Sequence, residues 1–370
     1  MSAWTIVPVT APDELDDPAA WALHGAAAVS RAYESATWGY PDLAYDARYL
    51  AAQVRDQEYA IRLLAVAIPA GTANPTTDDV VALTIIILPR QENTHLAYIE
   101  LYVHPEHVGR GVGTAMLSDA ERLAAEHDRT TLIAWTAHAG EPDPGTPGII
   151  EPPTGSGRIH PNEPGARFAQ RNGYALEQAE RYSVLHLPVD PALLDRLHDD
   201  AALRAGSDYR LHAWTDRTPE EWVDQVAVLE NRMSTDAPTA GLEIEEVPWD
   251  AARVRVKEAE IADAGHNYLM VAAEHVPTRT LAAFTFVRCP VDDPGLVFQE
   301  DTLVLREHRG RRLGMLVKAD LLRRLRDHRP EAARIHTWNA EENAYMLSIN
   351  VALGFRPTGV NGMWQKKTAS

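Results

Sequence analysis

Cysteine is nearly absent from this sequence, since Cys289 is the only one among 370 residues. One thiol cannot form an intrachain disulfide, so the fold depends on its hydrophobic cores, and we expect a reducing compartment. Cys289 closes an apolar run, 281–289, in which a buried strand residue is a better interpretation than a nucleophile.

Long hydrophobic runs are absent as well. The longest, 80–88, is much shorter than the ~20 residues of a membrane-spanning helix. The first 17 residues have neither the basic start nor the apolar core of a secretory leader. We therefore expect a cytoplasmic protein with no membrane partner.

Positive charge is scarce relative to negative charge. Lys and Arg number 35 against 53 Asp and Glu, which gives a net charge of -18. Such a field repels nucleic acid and anionic membrane surfaces, so no nucleic-acid partner is expected. The acid excess suits a cationic or amine-bearing partner, and it is equally compatible with a surface that only maintains solubility.

Apolar residues are plentiful. They make up 45% of the chain against 24% charged residues, which is the balance of a folded globular protein. A chain of 370 residues exceeds one typical core, so we expect two domains.

The sequence contains an internal repeat, because residues 100–113 align without a gap to residues 301–314. Each matched position is separated by 201 residues. The matched pairs are Glu100 with Asp301, Val103 with Val304, His107 with His308, Gly109 with Gly310, and Gly113 with Gly314. This similarity exceeds what composition alone would produce.

The flanking sequence repeats in the same order. Periodicity predicts, in each half, two antiparallel strands, a helix after the glycines and a further strand. The strands are 61–68, 79–88 and 131–136 in the first half and 267–273, 280–287 and 334–339 in the second. Each half then carries an Asn followed 11 residues later by Gly and an aromatic residue: Asn162 with Gly173-Tyr174, and Asn343 with Gly354-Phe355.

These elements predict a mixed α/β protein of two tandem domains, each a mostly antiparallel mixed sheet flanked by helices. We place the boundary at 189/190, giving domains 1–189 and 190–370. A Pro- and Gly-rich insertion, 139–161, interrupts the first domain, and we interpret it as a mobile loop. In the second domain we expect one helix starting at the capping Thr218 and another over 251–263.

The glycine segments predict an anion-binding site in each half. A strand, closely spaced glycines and a helix present backbone N–H groups and the positive end of a helix dipole, which suit phosphate. The segments comprise Val108, Gly109, Arg110, Gly111, Val112 and Gly113 in the first copy and Arg309, Gly310, Arg311, Arg312, Leu313 and Gly314 in the second. Neither has the Gly-Lys-Ser/Thr of a nucleotide triphosphate loop or the acid of a dinucleotide fold. The alternative is that each segment is only a tight turn. That interpretation would suffice for a single segment, but it does not explain why the segment occurs twice in matched context.

These segments resemble the hallmark of the GNAT N-acetyltransferases, Gln/Arg-x-x-Gly-x-Gly/Ala, and the Asn and Gly-aromatic pairs are similar to the family's second signature. As a tandem, the chain is similar to the two-domain actinobacterial acetyltransferases of the mycothiol synthase kind. The resemblance covers both halves.

The resemblance implies acetyl-coenzyme A (acyl-coenzyme A) as cofactor and a small-molecule amine as acceptor, with direct transfer in a ternary complex. Its pyrophosphate would lie on the glycine segment, and its pantetheine arm would pair with the preceding strand. Those strand residues are Leu101, Tyr102 and Val103 in the first copy and Leu303, Val304 and Leu305 in the second. The resemblance also implies that Asn162 in the first copy and Asn343 in the second contact the coenzyme, each near the start of the following helix.

The chain departs from the family pattern in both copies. Val108 stands where the family has Gln or Arg, and Arg312 replaces the middle glycine. The tyrosine that usually serves this family as general acid is missing, because Ala169 and Asn350 occupy the corresponding positions in the two copies. Asn350 is our candidate to hydrogen-bond the thiolate.

The candidate bases are Glu100, Glu300 and Asp301, at the end of the strand that would bind the pantetheine arm. The alternative is that these carboxylates face solvent. We expect no metal, because His104 and His107 have a pair's spacing without a third ligand nearby.

The second domain is the favoured active one. Its Arg309, Asn343 and Phe355 follow the family pattern, and a basic cluster at 306–312 suits an anion. Its acceptor would approach an acidic rim at 243–250, which is otherwise a solvated charge run. A non-catalytic acyl-coenzyme A sensor, or an enzyme that transfers another group to an amine, are the competing readings.

Overall fold

The computed structural model describes residues 3–236 and 238–368. The chain forms two compact units that exchange segments. Unit one comprises the described residues of Met1–Ala179, Ala240–Ile244 and Val360–Ser370, and unit two those of Glu180–Thr239 and Glu245–Gly359. A single cut at 189/190 therefore differs from the units at three segments.

The described residues form twelve strands and nine α-helices. The strands are β1 (Trp4–Pro8), β2 (Ala60–Pro69), β3 (Ala82–Pro89), β4 (Leu96–Val103), β5 (Thr131–Ala139), β6 (Ala175–His186), β7 (Tyr209–Thr215), β8 (His266–His275), β9 (Thr280–Pro290), β10 (Leu296–Val304), β11 (Arg334–Ala340) and β12 (Arg356–Lys367). The helices are α1 (Trp21–Trp38), α2 (Ala47–Arg55), α3 (Val112–Glu126), α4 (Pro164–Arg171), α5 (Pro191–Ala205), α6 (Val223–Asp236), α7 (Ala251–Asp263), α8 (Leu313–His328) and α9 (Ala344–Leu353). The predicted mixed α/β class is confirmed.

In unit one the strand order is β1-β2-β3-β4-β5-β12-β6, where β6 contributes its first residues and β12 most of its length. The first four strands are antiparallel neighbours, and β4 pairs β5 in parallel. Successive residues of a strand face opposite sides of a sheet. Ile85 accordingly packs in the core of α1 and α2, and Ile86 in the core of α3 and α4.

Unit two repeats this plan with the order β6-β11-β10-β9-β8-β7. Helices α6 and α7 cover one face, with Phe284 and Phe286 in their core, while α5 and α8 cover the other. The sequence of elements matches that of unit one from β1 to β6, and α5 is additional. In this correspondence α6 and α7 are the equivalents of α1 and α2, and β10 is the equivalent of β4.

Two local predictions require correction. The helix expected from Thr218 begins at Val223, because Thr218 is buried and its backbone N–H donates to the Glu258 carboxylate at 2.7 Å. The insertion is anchored, since Ile159 is fully buried in the unit-one core and forms a bridge with Ile150. The predicted helix 251–263 is confirmed.

Candidate functional site

In each unit two neighbouring parallel strands pair over only part of their length, and we call the place beyond the paired residues the opening. In unit one, β4 pairs β5 over Leu96–Ile99, although β4 continues to Val103 and β5 to Ala139. In unit two, β10 pairs β11 over Leu296–Phe298 and continues to Val304. Where the strands diverge, the inner edge of β4 or β10 offers backbone groups to an extended ligand.

The glycine loop of unit one is open. Gly109 and Gly111 have φ of 79° and 83°, a left-handed backbone that favours glycine. Gly111 is the N-cap of α3 and no side chain caps the helix, so its first N–H groups are available to an anion. A Cβ at either glycine would meet no atom within 4 Å. Gly113 is tighter, with Val103 3.6 Å from the position of an added Cβ.

The corresponding loop of unit two is less open. Gly310 has a φ of 80°, but the N-cap of α8 is Arg312, whose φ of 60° places a side chain in a left-handed position. The predicted anion-binding cations have an internal partner, because Arg306 and Arg309 form ion pairs with Asp236 at 2.7 and 2.8 Å. Arg311 is exposed.

The strand residues that we expected beside the pantetheine arm lie on both faces of their sheets. Leu101 and Val103 pack with the α3 side of unit one, whereas Tyr102 packs towards α1 and α2. In unit two, Leu303 and Leu305 pack with the α6 and α7 core, and Val304 packs on the opposite face. Their backbones border the opening, and their role with coenzyme stays a prediction.

Glu100 lies at the opening of unit one, one residue beyond its paired part. The hydroxyls of Tyr45 and Tyr102 each donate to the same Glu100 oxygen at 2.9 Å. Burial raises the pKa of Glu100, and these two hydrogen bonds oppose that rise.

Glu34, on α1, is a second buried carboxyl beside Glu100 that the sequence analysis missed. Burial raises its pKa to about 7, a hydrogen bond from Trp38 opposes this, and Glu100 adds to it. Only 5% of Glu34 is exposed, and its Oε2 has no hydrogen-bond partner among the described residues. We call Glu34 and Glu100 the carboxyl pair. An acid on the buried face of an apolar helix was the signal that could have identified Glu34.

Tyr33 connects the two sides of the opening. Its ring contacts Tyr102 of β4 edge to face, with centroids 5.1 Å apart, and its hydroxyl meets the backbone of Ala137 on β5. Burial, with the nearby Glu34 carboxylate, raises the pKa of Tyr33 to about 12, so the phenol is protonated at neutral pH. No motif in the sequence marked this residue.

His138, also missed, lies buried on β5 facing α4. Trp364 Nε1 donates to Thr136 Oγ1 at 2.7 Å, and Thr136 Oγ1 lies 2.7 Å from His138 Nε2. His138 Nδ1 lies 3.5 Å from Glu163, whose pKa is lowered by the hydrogen bond with this imidazole. The network fixes the ring orientation of His138.

The candidate bases of unit two have internal partners. Glu300 accepts from Arg288 at 2.9 Å, and Asp301 lies 3.8 Å from Lys257 Nζ. Burial raises the pKa of Asp301 to about 7, although Lys257 opposes the rise. A register shift between Gln299 and Thr302 interrupts β10 here against β9.

The asparagines that we predicted as ligands also make internal contacts. Asn350 is buried, and its Nδ2 donates to Asn339 Oδ1 at 2.6 Å. Asn343 caps α9 by accepting from the Met346 N–H at 3.2 Å. Asn162 is exposed and precedes α4, whose N-cap is Glu163. Their predicted contacts with coenzyme or thiolate stay predictions.

Three carboxylates of the expected acidic rim have local partners. Glu243 belongs to unit one, where it pairs with Lys367 and accepts from Thr131. Glu246 accepts from Asn231, and Asp250 caps α7. These carboxylates stabilise local structure.

Two features are absent from residues 3–236 and 238–368. No helix there combines the length and apolar character that a membrane crossing requires. No group of three or more His, Cys, Asp or Glu side chains there could hold a metal ion.

Comparison with known proteins places this geometry in a class. Residues 30–143 match the model of the acetyltransferase (GNAT) family. A solved tandem GNAT protein from the clavulanic acid biosynthesis pathway, without acetyl-coenzyme A, is 25% identical over 99% of both chains with a TM-score of 0.75. No curated protein matches the chain in sequence.

Two more distant structures share the fold. A GCN5-related N-acetyltransferase from Sphaerobacter thermophilus is 14% identical over 99% of this chain and 96% of its own, with a TM-score of 0.60. Saccharomyces cerevisiae N-myristoyltransferase is 11% identical over 99% of this chain and 80% of its own, with a TM-score of 0.55.

Residues 30–143, which lie within unit one, therefore match the acetyltransferase (GNAT) family. Over nearly its whole length the chain is similar in fold to a tandem GNAT protein. Proteins of this family carry out acyl transfer that depends on acyl-coenzyme A. The open Gly109–Gly111 loop and the uncapped start of α3 fit the phosphates of that coenzyme.

Proposed function

We propose that this chain is an acetyl-coenzyme A dependent N-acetyltransferase that acts directly, in a ternary complex, on an amine of a small molecule, and that unit one carries the reaction. One observation carries the proposal: the carboxyl pair lies at the β4–β5 opening of the unit whose glycine loop is open. A cytoplasmic location stays a prediction.

The choice of unit revises our expectation from the sequence. The features that favoured unit two were Arg309, Asn343 and Phe355. In the structure Arg309 pairs with Asp236, Asn343 caps a helix, and Phe355 is buried in the core. Each has a structural partner, which weakens the argument for unit two.

The residues that would hold coenzyme in unit one are the N–H groups from Gly109 to Gly113 and the inner edge of β4 from Glu100 to Val103. When bound, acetyl-coenzyme A supplies an activated acetyl thioester. The protein contributes position: two reactants held in contact react much faster than in solution.

Proton transfer is the chemical task of the chain's own residues. An amine must lose its proton to attack a carbonyl, and a general base works best when its pKa lies near the working pH. Glu34 meets this condition, with a pKa raised to about 7 by burial. Glu100, held by two phenols, positions the amine beside it.

Tyr33 is positioned to take the role of the missing acidic tyrosine. It is a protonated phenol that touches β4 through Tyr102 and β5 through Ala137. It therefore borders the opening from the α1 side, whereas the family position on α4 is Ala169. A neutral phenol donates a hydrogen bond and, to a leaving thiolate, a proton.

A matched pair of substitutions tests the assignment. A Cβ at Gly113 would lie 3.6 Å from Val103, and one at Gly314 would lie 3.1 Å from Ile349. Gly113→Val should weaken coenzyme binding in calorimetry at least tenfold and abolish thiol release with an amine panel, whereas Gly314→Val should leave both within about twofold. Thermal unfolding of both variants checks that they fold.

Other outcomes have distinct meanings. Loss of coenzyme binding in Gly314→Val alone would assign the coenzyme site to unit two. Unchanged coenzyme affinity in both variants would refute coenzyme binding at these loops. Binding without turnover on any amine would favour a non-catalytic acyl-coenzyme A binding protein.

A further inference from the structure

Unit two contains a built-in alkylammonium site. Lys257, on α7, places its Nζ 3.1 Å from Glu230 and 3.8 Å from Asp301. Aromatic rings complete the enclosure, since the same Nζ lies 5.1 Å from the ring centre of Trp249 and 4.9 Å from that of Phe286. Two carboxylates and two aromatic faces are what a primary ammonium on an alkyl chain requires.

The carboxyl pair of unit one is the counterpart of these two acids. Asp301 on β10 aligns with Glu100 on β4 in the internal repeat. Glu230 lies on α6 and Glu34 on α1, which are equivalent helices of the two units, and each of these residues is 5% exposed.

The two units differ in whether a cation of the chain lies between the two acids. No residue in the described part of the chain forms an ion pair with Glu34 or Glu100, and Glu34 Oε2 is a buried acceptor without a donor. Unit one does have aromatic rings at the corresponding place, because Tyr33, Tyr45 and Tyr102 form edge-to-face contacts around Glu100. Glu100, Tyr45 and Tyr102 are half-buried and hence partly accessible.

We propose that unit one binds the primary alkylammonium end of its acceptor between Glu34 and Glu100, in the place that Lys257 fills in unit two. The inference rests on the proposed function for its biological meaning, but the binding itself needs no coenzyme. Unit two, in turn, has its acceptor position closed by the chain's own lysine. The acceptor class is a primary amine on an unbranched alkyl arm.

Calorimetry without coenzyme tests the binding directly. The probe is n-pentylamine at pH 8, where an alkylamine is protonated, and 1-pentanol is the neutral control of equal length. The wild-type chain should bind pentylamine and not pentanol. Glu34→Gln should weaken pentylamine binding at least tenfold, and the exposed acid variant Glu151→Gln should leave it unchanged.

Glu100→Gln is the second variant, in case Glu34→Gln fails to fold. It should weaken pentylamine binding in the same direction. Equal binding of pentylamine by the wild type and a folded Glu34→Gln or Glu100→Gln variant would overturn the proposal, as would equal binding of pentanol.

Unit two provides an independent test by rescue. Lys257→Ala leaves the buried Glu230 and the partly exposed Asp301 without their cation, so its melting temperature should fall. Added n-butylamine should restore part of that loss, and n-butanol should not. If n-butylamine does not stabilise a folded Lys257→Ala variant, the acids of unit two do not bind an alkylammonium group, and the inference drawn from them for unit one is overturned.

The two proposals fail separately. Pentylamine binding that depends on Glu34, without thiol release from acetyl-coenzyme A, would refute the proposed reaction and leave the ammonium site intact. Turnover of amines that is indifferent to the carboxyl pair would refute the ammonium site and leave acetyl transfer intact.

Discussion

Glu34 is the residue on which the reaction proposed for unit one depends most. Its carboxyl is buried on α1 beside Glu100, and no positively charged group compensates either acid within the described residues. Two acids in one poorly hydrated place favour protonation of at least one of them. The pair therefore changes charge within the physiological pH range.

A first prediction concerns the pH dependence of turnover. The base must be ionised, so kcat/KM for a primary alkylamine should rise with pH through about 7, the raised pKa of Glu34. Glu34→Gln should lower kcat/KM by about 10²-fold or more and abolish this rise. Thiol release at constant ionic strength from pH 5.5 to 8.5 measures both. An unchanged profile in the variant would assign the base elsewhere.

A second prediction concerns stability. The folded-state pKa of Glu34 lies above its ordinary 4.5, so its stabilising contribution is complete below 4.5 and is lost as pH rises through about 7. Glu34→Gln should therefore gain stability relative to the wild type between pH 5 and 8, by on the order of 3 kcal/mol. Urea unfolding at pH 5 and pH 8 measures the difference, with the variant of the exposed Glu151, Glu151→Gln, as the control.

At the scale of elements, the same strand, loop and helix are built with different residues in the two units. Gly111 starts α3 in a left-handed conformation without a side chain, whereas Arg312 starts α8 in that conformation with one. Asp236, at the end of α6, forms ion pairs with both Arg306 and Arg309.

A third prediction follows for unit two. Asp236→Asn should release Arg306 and Arg309 to an anion, so a second, weaker coenzyme site should become measurable. The expected calorimetric stoichiometry is one coenzyme per wild-type chain and a value approaching two for the variant. A stoichiometry of one in both would show that Arg312, and not the ion pairs, closes this loop.

A fourth prediction concerns the insertion. Ile159 is fully buried in the core of α3 and α4, so Ile159→Ala should lower the free energy of unfolding by about 2–5 kcal/mol. Pro153→Ala, at an exposed position of the same insertion, should change it by less than about 0.5 kcal/mol. Urea unfolding compares the two. Equal effects would mean that the insertion is not anchored in the core.

For the whole molecule, the exchanged segments determine what can be separated. Val360 and Trp364 of β12 lie in the unit-one core, although they come from the last residues of the chain. Trp364 is fully buried and donates to Thr136 on β5 at 2.7 Å.

A fifth prediction is that a fragment of residues 1–189 will not reproduce unit one. It lacks β12 and the segment Ala240–Ile244, so its melting temperature and coenzyme affinity should be lower than those of the full chain. In the full chain, Trp364→Ala should cost about 3–5 kcal/mol and Trp364→Phe less. A fragment as stable as the full chain would contradict this assignment of β12.

The sequence by itself determined the tandem plan, because periodicity and glycine spacing are local and occur twice with the same order. It also identified Glu100 and Asp301, since both stand at a fixed distance before a glycine loop. Glu34 carried only the signal of an acid on the buried face of an apolar helix, and Tyr33 and Lys257 carried none. Their places in the sites follow from the packing of α1 on β4 and of α6 and α7 on the sheet of unit two. The exchange of β12 was likewise decided by tertiary structure, since strand pairing between distant segments depends on long-range contacts that local sequence does not encode.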